Sequence, residues 1–385
     1  MSFTTLGLSP DLLQILSNQQ FTVPTPIQEK AIPAILSRKD VLGIAKTGSG
    51  KTASYVLPIL MNLQKAVELK NRHVNVLILV PTRELAEQVK NVFQTFSRGL
   101  STPVKISAVY GGVSINPQMT SLQGVNVLIA TPGRLLDLVD SNAVHLSSIE
   151  TLVLDEADKM LNLGFKEEVD KIISLLPVKR QNILLSATLN ADLKLIHQVL
   201  LHDPLVVVIE TEEDSLDLIN QVAYIVSDEK KGPFLRYLIN HHEMKQVLIF
   251  ASSVHTADAI VNKLRKNNFD AKALHSKKSQ GARTETLYLF KSGKLKILVA
   301  TDLMGRGIDI NELPFVINYE LPRSPKDYIH RIGRTGRAGS TGEAISLVSP
   351  DELHHFEVIQ KKMGREVKLI DSGNLQKYNQ GIVDS

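Results

Sequence analysis

Nine short runs of almost unbroken apolar residues, spread along the whole chain, restrict its fold more than any other feature. They are VLGIA 41–45, VNVLILV 74–80, NVLIA 126–130, TLVLD 151–155, NILLS 182–186, QVLIF 246–250, KILVA 296–300, PFVINY 314–319 and AISLV 344–348. A strand with one face in water alternates apolar and polar residues, whereas a strand covered on both faces is apolar throughout. These runs therefore predict strands of parallel sheet covered by helices on both faces. The stretches between them read as those helices. In 84–97, Leu85, Val89, Phe93 and Phe96 recur at spacings of four, four and three and form one apolar stripe. Alternation of the two patterns is the mark of an α/β fold.

At 385 residues the chain is long for one such unit, since domains run to about 150 residues. The clearest break is IETEEDSLDLI, 209–219, with five acids in the eight residues 210–217 and no apolar periodicity before Leu216. A first domain is expected over 1–208, a linker over 209–218, a second domain over 219–370 and a short tail over 371–385. No repeat relating the two halves is visible in the sequence. Cysteine is absent, which excludes a disulfide framework and thiolate metal ligation. No apolar run approaches the roughly 18–20 residues of a membrane span. The opening MSFTTLGLSPDLL lacks the basic and apolar regions of a secretory signal. A cytoplasmic protein without a membrane partner is expected. Net charge is only +4, but residues 263–296 hold ten Lys/Arg against two acids. That segment is either a solvated helix face or a surface that meets phosphates.

Chemistry enters with AKTGSGKT, 45–52, directly after the first run. Across Ala45, Lys46, Thr47, Gly48, Ser49 and Gly50, the glycines and small residues let backbone N–H groups turn inward around phosphate oxygens. Lys51 can then reach the β- and γ-phosphates, and the Thr52 hydroxyl can ligate Mg²⁺. The helix that follows adds its positive dipole end. Ala45 stands where this motif usually has its first glycine. A bound triphosphate gives a task to VLDEADKML, 153–161, which sets Asp155, Glu156 and Asp158 behind a buried run. Mg²⁺ needs a carboxylate and hydrolysis needs a group to position water, so Asp155 is assigned to the metal and Glu156 to the water.

Further motifs stand in a fixed order around these two: FTVPTPIQ 21–28, PTRELAEQ 81–88, GG 111–112, TPGR 131–134, SAT 186–188, VLIFASS 247–253, ATDLMGRGID 300–309 and YIHRIGRTGR 328–337. With them the sequence resembles the DEAD-box ATP-dependent RNA helicases, most of all the bacterial RhlE-type branch. The resemblance implies two RecA-like domains, ATP and Mg²⁺ as ligands, and single-stranded or short duplex RNA as partner. It implies an RNA-stimulated ATPase that locally unwinds or remodels RNA without processivity, with an ATP-gated RNA clamp as the alternative. A monomer serving ribosomal precursors or RNA-decay complexes would fit it.

By the same resemblance, Phe21 stacks on adenine and the Gln28 amide pairs with its edge, while Gly305 and Asp309 lie near the ribose. Arg334 and Arg337 are the arginine fingers on the γ-phosphate, and His330 couples them to SAT. Asp158, Ser186 and Thr188 link DEAD to SAT by hydrogen bonds. Pro81, Thr82, Arg83, Gly111, Gly112, Thr131 and Arg134 grip RNA from the first domain, and Gln280, Arg283 and Thr301 from the second. None of these groups reads base edges, so little sequence specificity is expected. The chain departs from the family at Gln20, where glycine usually precedes the aromatic, at Met304 and Gly305, where alanine or serine is common, and at Ser276, where glycine is frequent.

Overall fold

The computed structural model describes residues 2–45, 48–64, 71–188, 200–209, 216–302, 313–336 and 341–374. The chain divides into two units, Met1–Thr211 and Glu212–Ser385. In the first, seven strands follow one another: β1 (Val41–Ile44), β2 (Val76–Leu79), β3 (Ile106–Val109), β4 (Val127–Ala130), β5 (Thr151–Leu154), β6 (Gln181–Ser186) and β7 (Leu205–Val208). They form one sheet in the order β3-β4-β2-β5-β6-β1-β7, and every pairing is parallel. The second holds β8 (Ile219–Ile225), β9 (Val247–Ala251), β10 (Ala271–Leu274), β11 (Ile297–Thr301), β12 (Phe315–Asn318), β13 (Gly342–Val348) and β14 (Lys368–Asp371). Their order is β10-β11-β9-β12-β13-β8-β14, again all parallel. Renumbered from the start of each unit, the two orders are identical.

All nine apolar runs are strands, and their burial shows why they lack alternation. In β2, Val76 and Ile78 enter one apolar cluster while Leu77 and Leu79 enter the other. In β9, Val247 and Ile249 face one side and Leu248 and Phe250 the opposite side. The striped segment is the helix Arg83–Ser97, with Leu85, Val89, Phe93 and Phe96 all buried and the Thr82 hydroxyl accepting a hydrogen bond from the Leu85 N–H at 3.3 Å.

Five strands lie outside those nine runs: β3, β7, β8, β10 and β14, although β7 is apolar throughout as LVVV. Four of them are sheet edges and the fifth, β8, pairs with edge strand β14. An edge needs apolar residues on fewer positions. Thus β3 alternates half-buried and buried residues, and β7 leaves Val206 and Val208 exposed. No helix among the described residues is long and apolar enough to cross a membrane.

Candidate active site

In a parallel sheet the loops that leave the C-terminal ends of adjacent strands converge on one edge. In the first unit β1 lies beside β6, and β6 beside β5, so AKTGSGKT, DEAD and SAT meet there. The Ala45 N–H donates to the Ser186 carbonyl at 3.0 Å, which fixes the start of the phosphate loop to SAT. Gly48 and Gly50 take φ values of +89° and +88°, open to glycine without strain. At Gly50 a Cβ would also lie 2.5 Å from Gln28 Nε2. That amide donates to the Gly50 carbonyl at 3.1 Å and accepts from the Thr25 N–H at 2.9 Å. Gln28 is thus a brace for the phosphate loop, only 2% exposed.

Lys51 begins the helix Lys51–Leu63, and its buried ammonium donates to the Ala45 carbonyl. Burial draws this ammonium below the usual lysine range, against Asp155, Glu156 and Asp158, which favour its charge. Asp155 is buried too, and desolvation, aided by Glu156, pushes its carboxyl up to about 6, while Lys51 and a hydrogen bond from Tyr55 pull it down. Tyr55 is a residue that sequence reasoning missed. It lies one helical turn beyond Lys51, is fully buried, and donates to Asp155 Oδ2 at 2.9 Å while also meeting the Thr52 hydroxyl. One phenol therefore joins the two side chains assigned to Mg²⁺. Both are hard oxygen donors, and a divalent cation would relieve the desolvation of Asp155, so the residues present fit that metal.

Glu156 occupies the left-handed region at φ 53°, ψ 45°, as the N-cap of the helix Ala157–Asn162. For a residue with a Cβ this costs about 1–2 kcal/mol. Strain of that kind collects at functional positions. Its Oε1 accepts from Lys159 at 2.7 Å, while Oε2 is buried with no hydrogen-bond partner among the described residues. Asp158 turns the other way, its Oδ2 accepting from the Thr188 hydroxyl at 2.9 Å. Ser186 closes the SAT turn by donating to the Thr188 carbonyl at 2.7 Å.

Two families match the chain: "DEAD/DEAH box helicase" over residues 25–196 and "Helicase conserved C-terminal domain" over 230–339. The DEAD-box ATP-dependent RNA helicase CshA of Geobacillus kaustophilus is 37% identical over 371 residues, 95% of this chain and 78% of that protein. The chain belongs to the DEAD-box ATP-dependent RNA helicases. The ATP-dependent rRNA helicase RRP3 of Candida albicans is 38% identical over 368 residues, 95% of this chain and 68% of that protein. Among solved structures, S. cerevisiae Dbp5 bound to RNA and ADP BeF3 superposes with a TM-score of 0.82 at 28% identity, covering 100% of this chain and 99% of that one.

The DEAD-box motifs expected to grip RNA follow β2, β3 and β4, which are neighbours in the sheet. Pro81 and Thr82 lead into the helix begun by Arg83, whose guanidinium lies against Gly112, where a Cβ would come within 2.0 Å of it. Gly112 has φ +75°, which favours glycine, and its lack of a Cβ lets the Arg83 guanidinium lie close to the backbone, while Gly111 faces open space. Thr131 caps the helix Pro132–Asp140, and from its first turn Arg134 donates to the Val113 carbonyl at 3.0 Å and to Asp137 at 3.3 Å. Arg134 therefore ties the TPGR helix to the glycine loop. Gln118, another residue missed, clamps both the N–H and the carbonyl of Tyr110 at 2.8 and 3.2 Å.

Phe21 is 41% exposed and braced edge-on by Phe96 at 5.4 Å. Gln20, where the family usually has glycine, adopts φ +61° just past the helix Pro10–Asn18. The position asks for a left-handed residue, which accounts for glycine elsewhere in the family.

In the second unit, Gln280 opens the helix Gln280–Lys291 with Arg283 buried one turn on, and Thr301 ends β11. The helix Pro325–Ile332 carries His330 and Arg331 in its last turn, followed by buried Arg334. Arg331 is held internally: it grips Asp302 with two bonds of 2.5 and 2.7 Å and donates to Asn318 at 3.1 Å. Lys46, Thr47, Gly305, Asp309 and Arg337 lie outside the described residues.

Proposed function

We propose that this ATP-dependent RNA helicase hydrolyses ATP at the strand-end site of its first unit and takes further positive charge from Arg334 and Arg337 of its second. The observation that carries the proposal is the strained, buried Glu156 with an unsatisfied carboxylate oxygen, beside buried Lys51 and Asp155. Lys51 and the inward backbone of Gly48–Gly50 bind the phosphates. Phe21 stacks on the adenine, and Gln28 reports the base to the loop through Gly50. Asp309, near Gly305, binds the ribose. Thr52 and Asp155 would hold Mg²⁺, which supplies Lewis-acid neutralisation of charge on the phosphates. Glu156 orients the attacking water, and the arginines stabilise charge on the transferred phosphoryl, worth roughly 10³–10⁵ in rate.

Asp158, Ser186, Thr188 and His330 link nucleotide state to RNA affinity, so ATP and RNA strengthen each other's binding by the same factor. Arg83, Thr82, Pro81, the Gly111–Gly112 loop, Thr131, Gln280, Arg283 and Thr301 hold the RNA backbone. Arg134 acts by positioning that loop. The bound strand is bent and a short duplex is opened locally. The rRNA helicase named among its relatives supports ribosomal RNA as a substrate. We place the protein in the cytoplasm, acting as a monomer.

Glu156→Gln is expected to keep ATP and RNA binding while turnover falls by about 10²-fold or more. An unchanged kcat would remove Glu156 from its assigned role. ATP turnover in the wild type without displacement of a short duplex would replace unwinding with an RNA clamp.

A further inference from the structure

The basic segment 263–296 is only partly absorbed by the RNA motifs, because most of its charge lies at the opposite end of the sheet. Residues that precede parallel strands all collect at the sheet's N-terminal end, and helices returning from the C-terminal end finish there too. In the second unit β10, β11 and β9 are adjacent. Lys245 stands two residues before β9, Lys296 immediately before β11, and Lys266 closes the helix Val254–Lys266. Lys291 ends the helix Gln280–Lys291, and Lys294 follows it. The juxtaposition is direct: the Val247 N–H donates to the Lys296 carbonyl at 2.9 Å, the Ile297 N–H to the Asp270 carbonyl at 3.2 Å, and Gln246 Nε2 to the Phe290 carbonyl at 2.6 Å. All five lysines are exposed.

Cations at helix C-termini complement the dipole, which accounts for Lys266 and Lys291. It does not account for Lys245, Lys294 and Lys296, which lie beyond any helix. The first unit provides the contrast. At the same end of its sheet Arg38 pairs with Glu150 at 3.6 Å, Lys39 with Asp203 at 3.5 Å, and Arg72 and Lys105 donate to backbone carbonyls. In the second unit no ion pair joins Lys245, Lys266, Lys294 or Lys296 to an acid among the described residues. These four lysines thus present charge outward, with Asp270 and Glu243 as the acids nearest them in sequence. Tyr288, 63% exposed, precedes Lys291 by three residues and shares its helix face.

We propose that this N-terminal edge of the second unit is a separate RNA-binding surface, which holds the structured part of a long RNA by its phosphates. Lysines on flexible stems contact phosphates without reading sequence, and an exposed tyrosine offers a stacking surface for an unpaired base. The inference rests on the RNA helicase activity, which already brings a polyanion to the molecule.

The test compares wild type with the combined variant Lys245→Gln, Lys266→Gln, Lys291→Gln, Lys294→Gln, using two RNAs: a short single strand and the same strand joined to a hairpin. Half-saturation of the ATPase by the hairpin RNA is expected to rise about tenfold, and its slope against log salt to fall by about 3. The short strand should behave as with wild type, and four Lys→Arg changes at the same positions should preserve hairpin affinity. Equal half-saturation by the hairpin RNA in wild type and the glutamine variant would overturn the proposal, as would loss of polyaspartate binding alone, which would assign the surface to an acidic protein. Absence of RNA stimulation in the wild type would instead overturn the helicase reading itself.

Discussion

The two units wind their sheets in the same strand order, yet at corresponding strand ends they carry different chemistry. After β1 the first unit has six residues, 45–50, before its helix; after β8 the second has two, Val226 and Ser227. The long loop leaves Lys51 beside Asp155 and Glu156 with room for phosphates at its glycines. In the second unit the first turn of the corresponding helix also carries a buried lysine, Lys231, but it pairs with Asp228 at 2.9 Å and Glu352 at 3.2 Å. The protein's own carboxylates stand where the first unit would take a phosphate. One scaffold therefore serves twice, and loop length together with the placing of acids decides which copy binds nucleotide.

The comparison breaks most sharply at the two lysines. Lys51→Ala should lower kcat/KM for ATP by about 10³-fold or more, measured as RNA-stimulated phosphate release. Lys231→Ala should leave that ratio within about twofold and cost roughly 1–3 kcal/mol of stability instead, because it strips a buried partner from Glu352. Equal losses of activity from the two would erase the distinction.

Asp155 sharpens it further, since a buried carboxylate of the kind proposed to hold Mg²⁺ is a liability without the metal. Its folded pKa of about 6 lies above its ordinary 3.8, so the folded state holds the extra proton between these values. Stability is then lost as pH rises through that window and stays lost above it, on the order of 2–3 kcal/mol. Asp155→Asn carries no such charge. It should melt several degrees above nucleotide-free wild type at pH 8 and close to it near pH 4, while hydrolysing no ATP. At limiting Mg²⁺, wild-type turnover should fall as pH drops towards about 6, because protons compete with the cation for Asp155, and excess Mg²⁺ should move that fall to lower pH. The smallest effect is expected at Tyr55→Phe, which frees Asp155 and Thr52 from their shared hydroxyl. The Mg²⁺ concentration for half-maximal protection against heating, with ADP present, should rise about 3–10-fold with little change in RNA affinity.

Much of this was legible in the sequence, for physical reasons. Strands buried on both faces announce themselves as apolar runs, and the motif loops lie at their ends. The edge strands β3, β10 and β14 were not legible, because an edge strand needs too few apolar residues to stand out, whereas β7 was missed although LVVVI 205–209 is an unbroken apolar run. The duplicated topology was hidden for a related reason: it is fixed by strand order and burial, which many sequences satisfy. At the site, residue types pointed to Lys51, Asp155 and Glu156, but Tyr55 and Gln118 read as ordinary core and surface residues until their partners were seen. Gln28 and Arg134 were legible as motif positions, though not as the braces their hydrogen bonds make them.

Calorimetric titration of the RNA-bound protein with a non-hydrolysable ATP analogue and Mg²⁺ addresses the difference between the units most directly. We expect one site per chain, abolished by Lys51→Ala and unaltered by Lys231→Ala. A second site, or loss of binding with Lys231→Ala in a folded protein, would contradict the assignment of the phosphate-binding loop to the first unit.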